Sequence, residues 1–259
     1  MLLKDKVVMV SGIGPGLGLD TARAMAREGA HLVIGARTRS KLDELGAELE
    51  ASGTRVALAA TDITDDDSCA ALAAEAKRVF GRVDVLVNNA YHAGTYETVE
   101  DTDLETWRAP FEVNVLGSLR LSKAVIPLMK EQGGGSIVMV CSMSMRRIMS
   151  AFGGYSASKA ALANATQTLA VELGSYNIRV NSVVPGYIWG PALEGYFKQQ
   201  AEAAGVTAEK VYDGVAAETA LGHIPTGAEI AETVVFFASE MSKVITGQSL
   251  DVNGGHFFW

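Results

Sequence analysis

Short runs of uninterrupted apolar residues alternate along the whole chain with longer stretches whose apolar positions recur every three to four residues. The short runs are VVMV (7–10), HLVIG (31–35), RVALAA (55–60), VDVLVNN (83–89), SIVMVCS (136–142), IRVNSVV (178–184) and SLDV (249–252). Rich in Val, Ile and Leu without polar alternation, they read as strands buried on both faces. Helical periodicity fills the gaps at 17–28, 39–51, 65–80, about 103–131, 152–173 and 228–239. Gly29, Gly53, Gly81 and Gly174 each follow such a segment, where a left-handed cap is expected. Strand–helix alternation with right-handed crossovers predicts a parallel sheet with helices on both faces.

One stretch breaks the rhythm. Residues 186–227 carry Gly190, Pro191, Gly195, Gly205, Gly214, Gly222, Pro225 and Gly227, with short helix-like pieces between these breakers. An insertion of that length in a compact domain is expected to work as an active-site lid. No linker, low-complexity tract or internal repeat divides the chain, so 1–259 is expected to be a single domain.

The first run leads into Ser11-Gly12-Ile13-Gly14-Pro15-Gly16-Leu17-Gly18, and a helix follows at once. Strand, glycine turn and helix start are the context of a dinucleotide site, because glycines let the backbone approach a pyrophosphate and the helix N-terminus offers free N–H groups. At the tip of the second strand stand Ala36, Arg37, Thr38 and Arg39, where an acidic residue would bind the ribose 2′-hydroxyl of NAD. Arg37 can instead make charge-assisted bonds to a 2′-phosphate, which favours NADP(H) and leaves NAD(H) open. Asp62, followed by Ile63, is placed for the adenine edge or equally for a helix cap. Asn89 and Ala90 close the fourth strand at the crevice.

Composition narrows the class. Apolar residues make up 48% and charged residues 20%, as in a globular protein with a large core. A net charge of −8 argues against general affinity for nucleic acid or anionic membrane. No apolar run is long enough to span a bilayer, and the start has no apolar signal-peptide core. The two cysteines, Cys69 and Cys141, have no metal-like neighbour spacing, so the expectation is no metal, no disulfide scaffold and a cytoplasmic home.

GGYSASKAAL (153–162) places Tyr155 and Lys159 on one face of a helix, four residues apart. A neighbouring cation lowers a phenol's pKa; a core ring and a snorkelling lysine would look the same in isolation. The surrounding motifs resolve the choice. SGIGPGLG (11–18), VNNA (87–90), Asn114 in EVNVLGS, Ser142 in IVMVCS, YSASK (155–159) and NIRVNSVVPG (177–186) resemble, in order and interval, the short-chain dehydrogenases/reductases.

That resemblance implies a Rossmann-type, doubly wound, seven-stranded parallel sheet and an oxidoreductase exchanging a hydride between NADP(H) or NAD(H) and a secondary alcohol or ketone. It implies Tyr155 as general acid/base, with Lys159 lowering its pKa and binding the nicotinamide ribose. Ser142 would donate to the substrate oxygen, and Asn114 would interrupt its helix and hold a relay water. Pro185, Gly186 and Ile188 fall at the nicotinamide end. Departures from the family pattern are Ser11 for Thr, Gly14-Pro15 for a polar or basic pair, Tyr91 after VNNA, and Gly190 for a Thr. A cofactor-binding redox sensor is the alternative, but it has no need of all four catalytic positions.

His92, Ser144, Met149, Trp189 and Tyr196 are the candidate substrate contacts, and with Met143, Met145, Tyr187 and Phe197 they suggest a bulky apolar substrate. The family forms tetramers, so a homotetramer or homodimer is expected. The tail His256-Phe257-Phe258-Trp259 is expected to cross a subunit interface.

Overall fold

The computed structural model describes residues 1–258; Trp259 lies outside the described residues. Seven strands form one all-parallel sheet: β1 (Val7–Ser11), β2 (His31–Ala36), β3 (Val56–Ala60), β4 (Val85–Asn88), β5 (Gly135–Val140), β6 (Ile178–Pro185) and β7 (Ser249–Val252). Their order is β3-β2-β1-β4-β5-β6-β7. Every strand expected from the apolar runs is present.

Alternation along each strand divides the core in two. Val8 and Val10 face a layer built by α1 (Leu17–Arg27), α2 (Arg39–Ala51) and α9 (Gly227–Ala238), with Met25, Leu42, Ile230 and Val234 buried there. Val7 and Met9 face α3 (Asp66–Phe80), α5 (Ser118–Glu131) and α6 (Gly153–Leu173), against Leu72, Leu121, Val125 and Leu162. A sheet covered on both faces has no polar side to show, which is why the strands lack alternation in sequence. The strand order reverses direction between β1 and β4, where Ser11 pairs with Asn88, and this opens a crevice at the carboxyl ends of the two strands.

Three local expectations need correcting. The periodic stretch 103–131 is not one helix: a 3₁₀ turn (Leu104–Trp107) leads to α4 (Arg108–Pro110), a π-helical segment (Phe111–Gly117) and then α5. Gly174 does not take the left-handed cap after α6; the chain continues through a 3₁₀ turn, and Asn177 adopts the positive φ of 57°. Asparagine tolerates that region, so the cap moved three residues on. Residues 186–227 fold into two full helices, α7 (Pro191–Ala204) and α8 (Ala208–Ala217), with Gly195 and Gly214 inside them rather than breaking them. Their apolar faces meet around Phe197, Ala216 and Ile224, and that packing outweighs the glycines' poor helix propensity. Trp189 and Thr226 pair in a parallel bridge that brings the two ends of this segment together.

Candidate active site

The glycine turn is shaped by contact on one side and openness on the other. Gly12 has φ +78°, and a Cβ there would fall 2.4 Å from the backbone of Ala90. Gly18 packs against the turn itself, its would-be Cβ 2.4 Å from the Gly12 carbonyl. Asn89 Nδ2 donates to that carbonyl at 2.7 Å, tying the end of β4 to the loop. Gly14 and Gly16, by contrast, border open space. Gly16 stands at the start of α1 and supplies no side-chain acceptor, so the first-turn N–H groups remain available. Ser11 lies beneath, 1% exposed, and Leu17 is buried in the core. This cradle fits a pyrophosphate, since Gly14 and Gly16 leave open space beside the uncapped N-terminus of α1.

At the tip of β2 the two arginines differ. Arg39 is taken by Asp43, at 2.9 Å on the next helical turn. Arg37 is exposed and has no ion-pair partner within 4.0 Å among the described residues. Its charge, though, adds to the two Thr64 hydrogen bonds that hold the Asp62 carboxyl below its usual range. Asp62 Oδ1 accepts from the Thr64 N–H at 2.9 Å and its hydroxyl at 2.7 Å. The cap of α3 is Asp65, which accepts from Ser68 N, so the helix-cap reading of Asp62 is set aside. Thr38 precedes α2 without making a side-chain cap, and Ile63 is buried.

Ser142, Tyr155 and Lys159 come together where β5 ends against the first turns of α6. Ser142 is extended and caps a 3₁₀ turn, its Oγ accepting from Ser144 N at 3.2 Å. It is close enough to Tyr155 for a side-chain hydrogen bond, which favours the phenolate, but burial is the larger effect and raises the phenol above its ordinary value. Lys159 is 2% exposed and donates to the Val140 carbonyl at 2.7 Å. Desolvation pushes its ammonium down to about 8. The expectation that Lys159 depresses the Tyr155 pKa is therefore not met in the chain by itself: burial dominates both groups, and the ammonium is directed at a backbone carbonyl.

The glycine pair before Tyr155 now has a reason. The Trp107 indole lies against the start of α6, and a Cβ would fall 2.7 Å from its ring at Gly153 and 3.0 Å at Gly154. Asn114 sits in the π-helical segment, 0% exposed. Its Oδ1 accepts from His92 N at 2.7 Å, while Nδ2 donates to His92 O at 3.1 Å and to Ser158 Oγ at 2.8 Å. The widened turn thus clamps the loop after β4 to α6, which is what Asn114 visibly does here.

The candidate substrate residues fare unevenly. Ser144 is 1% exposed and offers a substrate no surface, a correction; the tight turn that seats Ser142 buries it. His92 stays exposed, but its Nδ1 accepts from Gly94 N at 3.1 Å within its own loop. Trp189 is half-buried: its ring packs on Tyr212 (4.6 Å between centroids) and Phe197 (6.0 Å) at the edge of the cluster inside the 186–227 segment and lines a cavity there with both. Met149 is half-buried and Tyr196 is 46% exposed, bonded to Gln200. Pro185 ends β6 buried, Gly186 packs against Asn253, and Ile188 is half-buried. Sequence reasoning missed Phe152, whose ring lies beside Tyr155, and Tyr96, which stacks on Phe152. Phe152 stands three residues before Tyr155, a spacing that could have flagged it; nothing marked Tyr96.

The described part of the tail folds back on its own chain. Gly254 and Gly255 carbonyls accept from Leu221 N and Ala220 N, and the His256 ring stacks on Tyr187 at 5.7 Å while meeting Glu218 and Arg147.

Comparison with known proteins agrees with this geometry. A family model described as enoyl-(acyl carrier protein) reductase matches residues 12–256. A 7alpha-hydroxysteroid dehydrogenase of Bacteroides fragilis is 35% identical over 256 residues, covering 97% of this chain and 94% of the relative. L-sorbose reductase from Gluconobacter frateurii, solved with NADPH and L-sorbose, superposes with a TM-score of 0.93 at 32% identity, over 99% of this chain and 98% of that one. NAD+-bound xylitol dehydrogenase superposes with a TM-score of 0.91 at 28% identity, over 98% and 100% of the two chains. Fold, site and relatives define an oxidoreductase of alcohols and ketones that uses a nicotinamide cofactor. The chain belongs to the short-chain dehydrogenase/reductase family. Among the described residues no helix is long and apolar enough to cross a membrane.

Proposed function

We propose that this enzyme interconverts a bulky apolar ketone and its secondary alcohol with NADP(H), Tyr155 serving as general acid/base. The observation that carries the reading is the convergence of Ser142, Tyr155 and Lys159 beside the crevice, with the glycine cradle at its base. When bound, the nicotinamide supplies or takes up the hydride. Every other role falls to this chain's own groups.

The backbone from Gly12 to Gly18 holds the pyrophosphate, and uncommitted Arg37 takes the 2′-phosphate. Asp62 and Ile63 border the adenine, Asn89 and Ala90 the adjoining ribose, and Pro185, Gly186 and Ile188 the carboxamide. Ser142 donates to the substrate oxygen as charge builds there. Tyr155 transfers a proton to or from the same oxygen. Its raised pKa keeps the phenol protonated at neutral pH, the form that ketone reduction requires. Lys159 contacts the nicotinamide ribose and, with a pKa near 8, passes the replacement proton. The 186–227 segment closes over the substrate as a lid. The assembly we propose is a homotetramer or homodimer in the cytoplasm, in which α6, with Val171 85% exposed, would lie at an interface.

Tyr155→Phe tests the reading. Turnover of any ketone should fall at least 10³-fold with NADPH affinity retained, and an active variant would refute the proton-transfer role.

A further inference from the structure

Tyr155 stands at the end of a row of aromatic rings. Phe152 lies 4.7 Å from it, centroid to centroid and tilted by 37°. Tyr96 stacks on Phe152 at 5.2 Å and 14°, close to parallel. On another side Tyr91 meets Tyr155 edge-on, at 6.4 Å and 75°. Tyr91 and Tyr96 are 63% and 69% exposed, so both rings keep surface free to meet a ligand. None of these rings belongs to the 186–227 segment, so the row is present before that segment moves.

We infer that Tyr96, Phe152 and Tyr91 form a stacking wall that selects aryl ketones without a negative charge and the matching aryl carbinols. The inference rests on the proposed reaction, because it is the position of Tyr155 that fixes where the carbonyl must lie. A carbonyl conjugated to an aromatic ring is coplanar with it, so an oxygen at Tyr155 brings a flat ring beside the row of rings. Offset-stacked and edge-on pairs both attract through the ring quadrupole, beyond the area they bury. A saturated ring of equal size is puckered and lacks that quadrupole. Exclusion of anions follows from charge: the loop continuing from Tyr96 carries Glu97, Glu100, Asp101 and Asp103, a local negative field, while Glu105 is paired with Arg108.

The test compares acetophenone with cyclohexyl methyl ketone, which share a carbon count and differ in ring saturation. Because the comparison is between variants, the intrinsic reactivities of the two ketones cancel. Tyr96→Ala and Phe152→Leu should each lower the aryl-to-cyclohexyl ratio of kcat/KM by about 3- to 10-fold, mostly through the KM of the aryl ketone. Equilibrium binding of acetophenone to the NADPH-loaded Tyr155→Phe protein should weaken by a similar factor when Tyr96→Ala is added. An unchanged ratio, or an equal loss on both ketones, overturns the wall as a selector; unchanged binding does so even if neither ketone is turned over. The proposed reaction is judged separately, by whether wild type reduces either ketone and Tyr155→Phe does not.

Discussion

The ammonium of Lys159 lies 5.6 Å from the centroid of the Tyr155 ring, one helical turn along α6, yet its hydrogen bond goes to the Val140 carbonyl. The two side chains are thus neighbours without being an ion pair. A buried ammonium whose hydrogen bond goes to a neutral carbonyl and not to a carboxylate is poorly compensated, and its depressed pKa reflects that desolvation.

This has a consequence for stability. In the unfolded chain Lys159 keeps its proton to about 10.5, whereas in the folded chain it loses it near 8. Between those values the unfolded state binds more protons, so stability rises with pH. Above about 10 the raised Tyr155 pKa acts oppositely, because the unfolded phenol ionises first. The melting temperature of wild type relative to Lys159→Met should therefore climb between about pH 8 and 10. The free energy recovered is on the order of 3 kcal/mol. Parallel melting curves for the two proteins would refute the buried charge.

Cofactor choice turns on Arg37. Arg37→Asp should weaken NADPH binding about 10- to 100-fold, the loss of a charge-assisted hydrogen bond, and improve the relative use of NADH. Arg39→Ala should do far less, since Asp43 already holds that guanidinium. Dissociation constants for both cofactors on both variants give the answer, and an unmoved NADPH/NADH ratio in Arg37→Asp excludes Arg37 as the reader.

Two glycines of the same turn should fail differently. Gly12→Ala puts a methyl 2.4 Å from the Ala90 backbone at positive φ, so melting should drop by an equivalent of at least about 2 kcal/mol. Gly14→Ala meets nothing within 4 Å, so it should keep its melting temperature while losing cofactor affinity. Calorimetry with and without NADPH separates the two, and equal destabilisation would contradict the division between packed and open glycines.

Thiol chemistry offers a simple check of burial. Desolvation pushes Cys69 up to about 11 and raises Cys141 as well. Neither should react with Ellman's reagent in the native protein, and two equivalents should appear on unfolding. Rapid native labelling would place at least one thiol at the surface.

Much of this was legible beforehand. The strand runs and the glycine turn follow from periodicities and from rules that act over a few residues, so Val7–Ser11 and Gly12–Gly18 read directly. The pairing of Tyr155 with Lys159 is likewise helical geometry. What escaped depends on partners distant in sequence. The burial of Ser144 under its own turn, the packing of Trp189 on Tyr212, and the meeting of Tyr96 with Phe152 are tertiary outcomes that leave no local signature. The direction of the Tyr155 shift also escaped, because spacing shows a neighbouring cation but not the water removed from both groups.

The clamp made by Asn114 joins its own segment to residues 22 and 44 positions away, through His92 and Ser158. The reactive cluster therefore exists only after strands and helices from three separate regions have docked. During refolding, regained turnover should lag the recovery of helical signal, and it marks the completion of tertiary assembly rather than its onset.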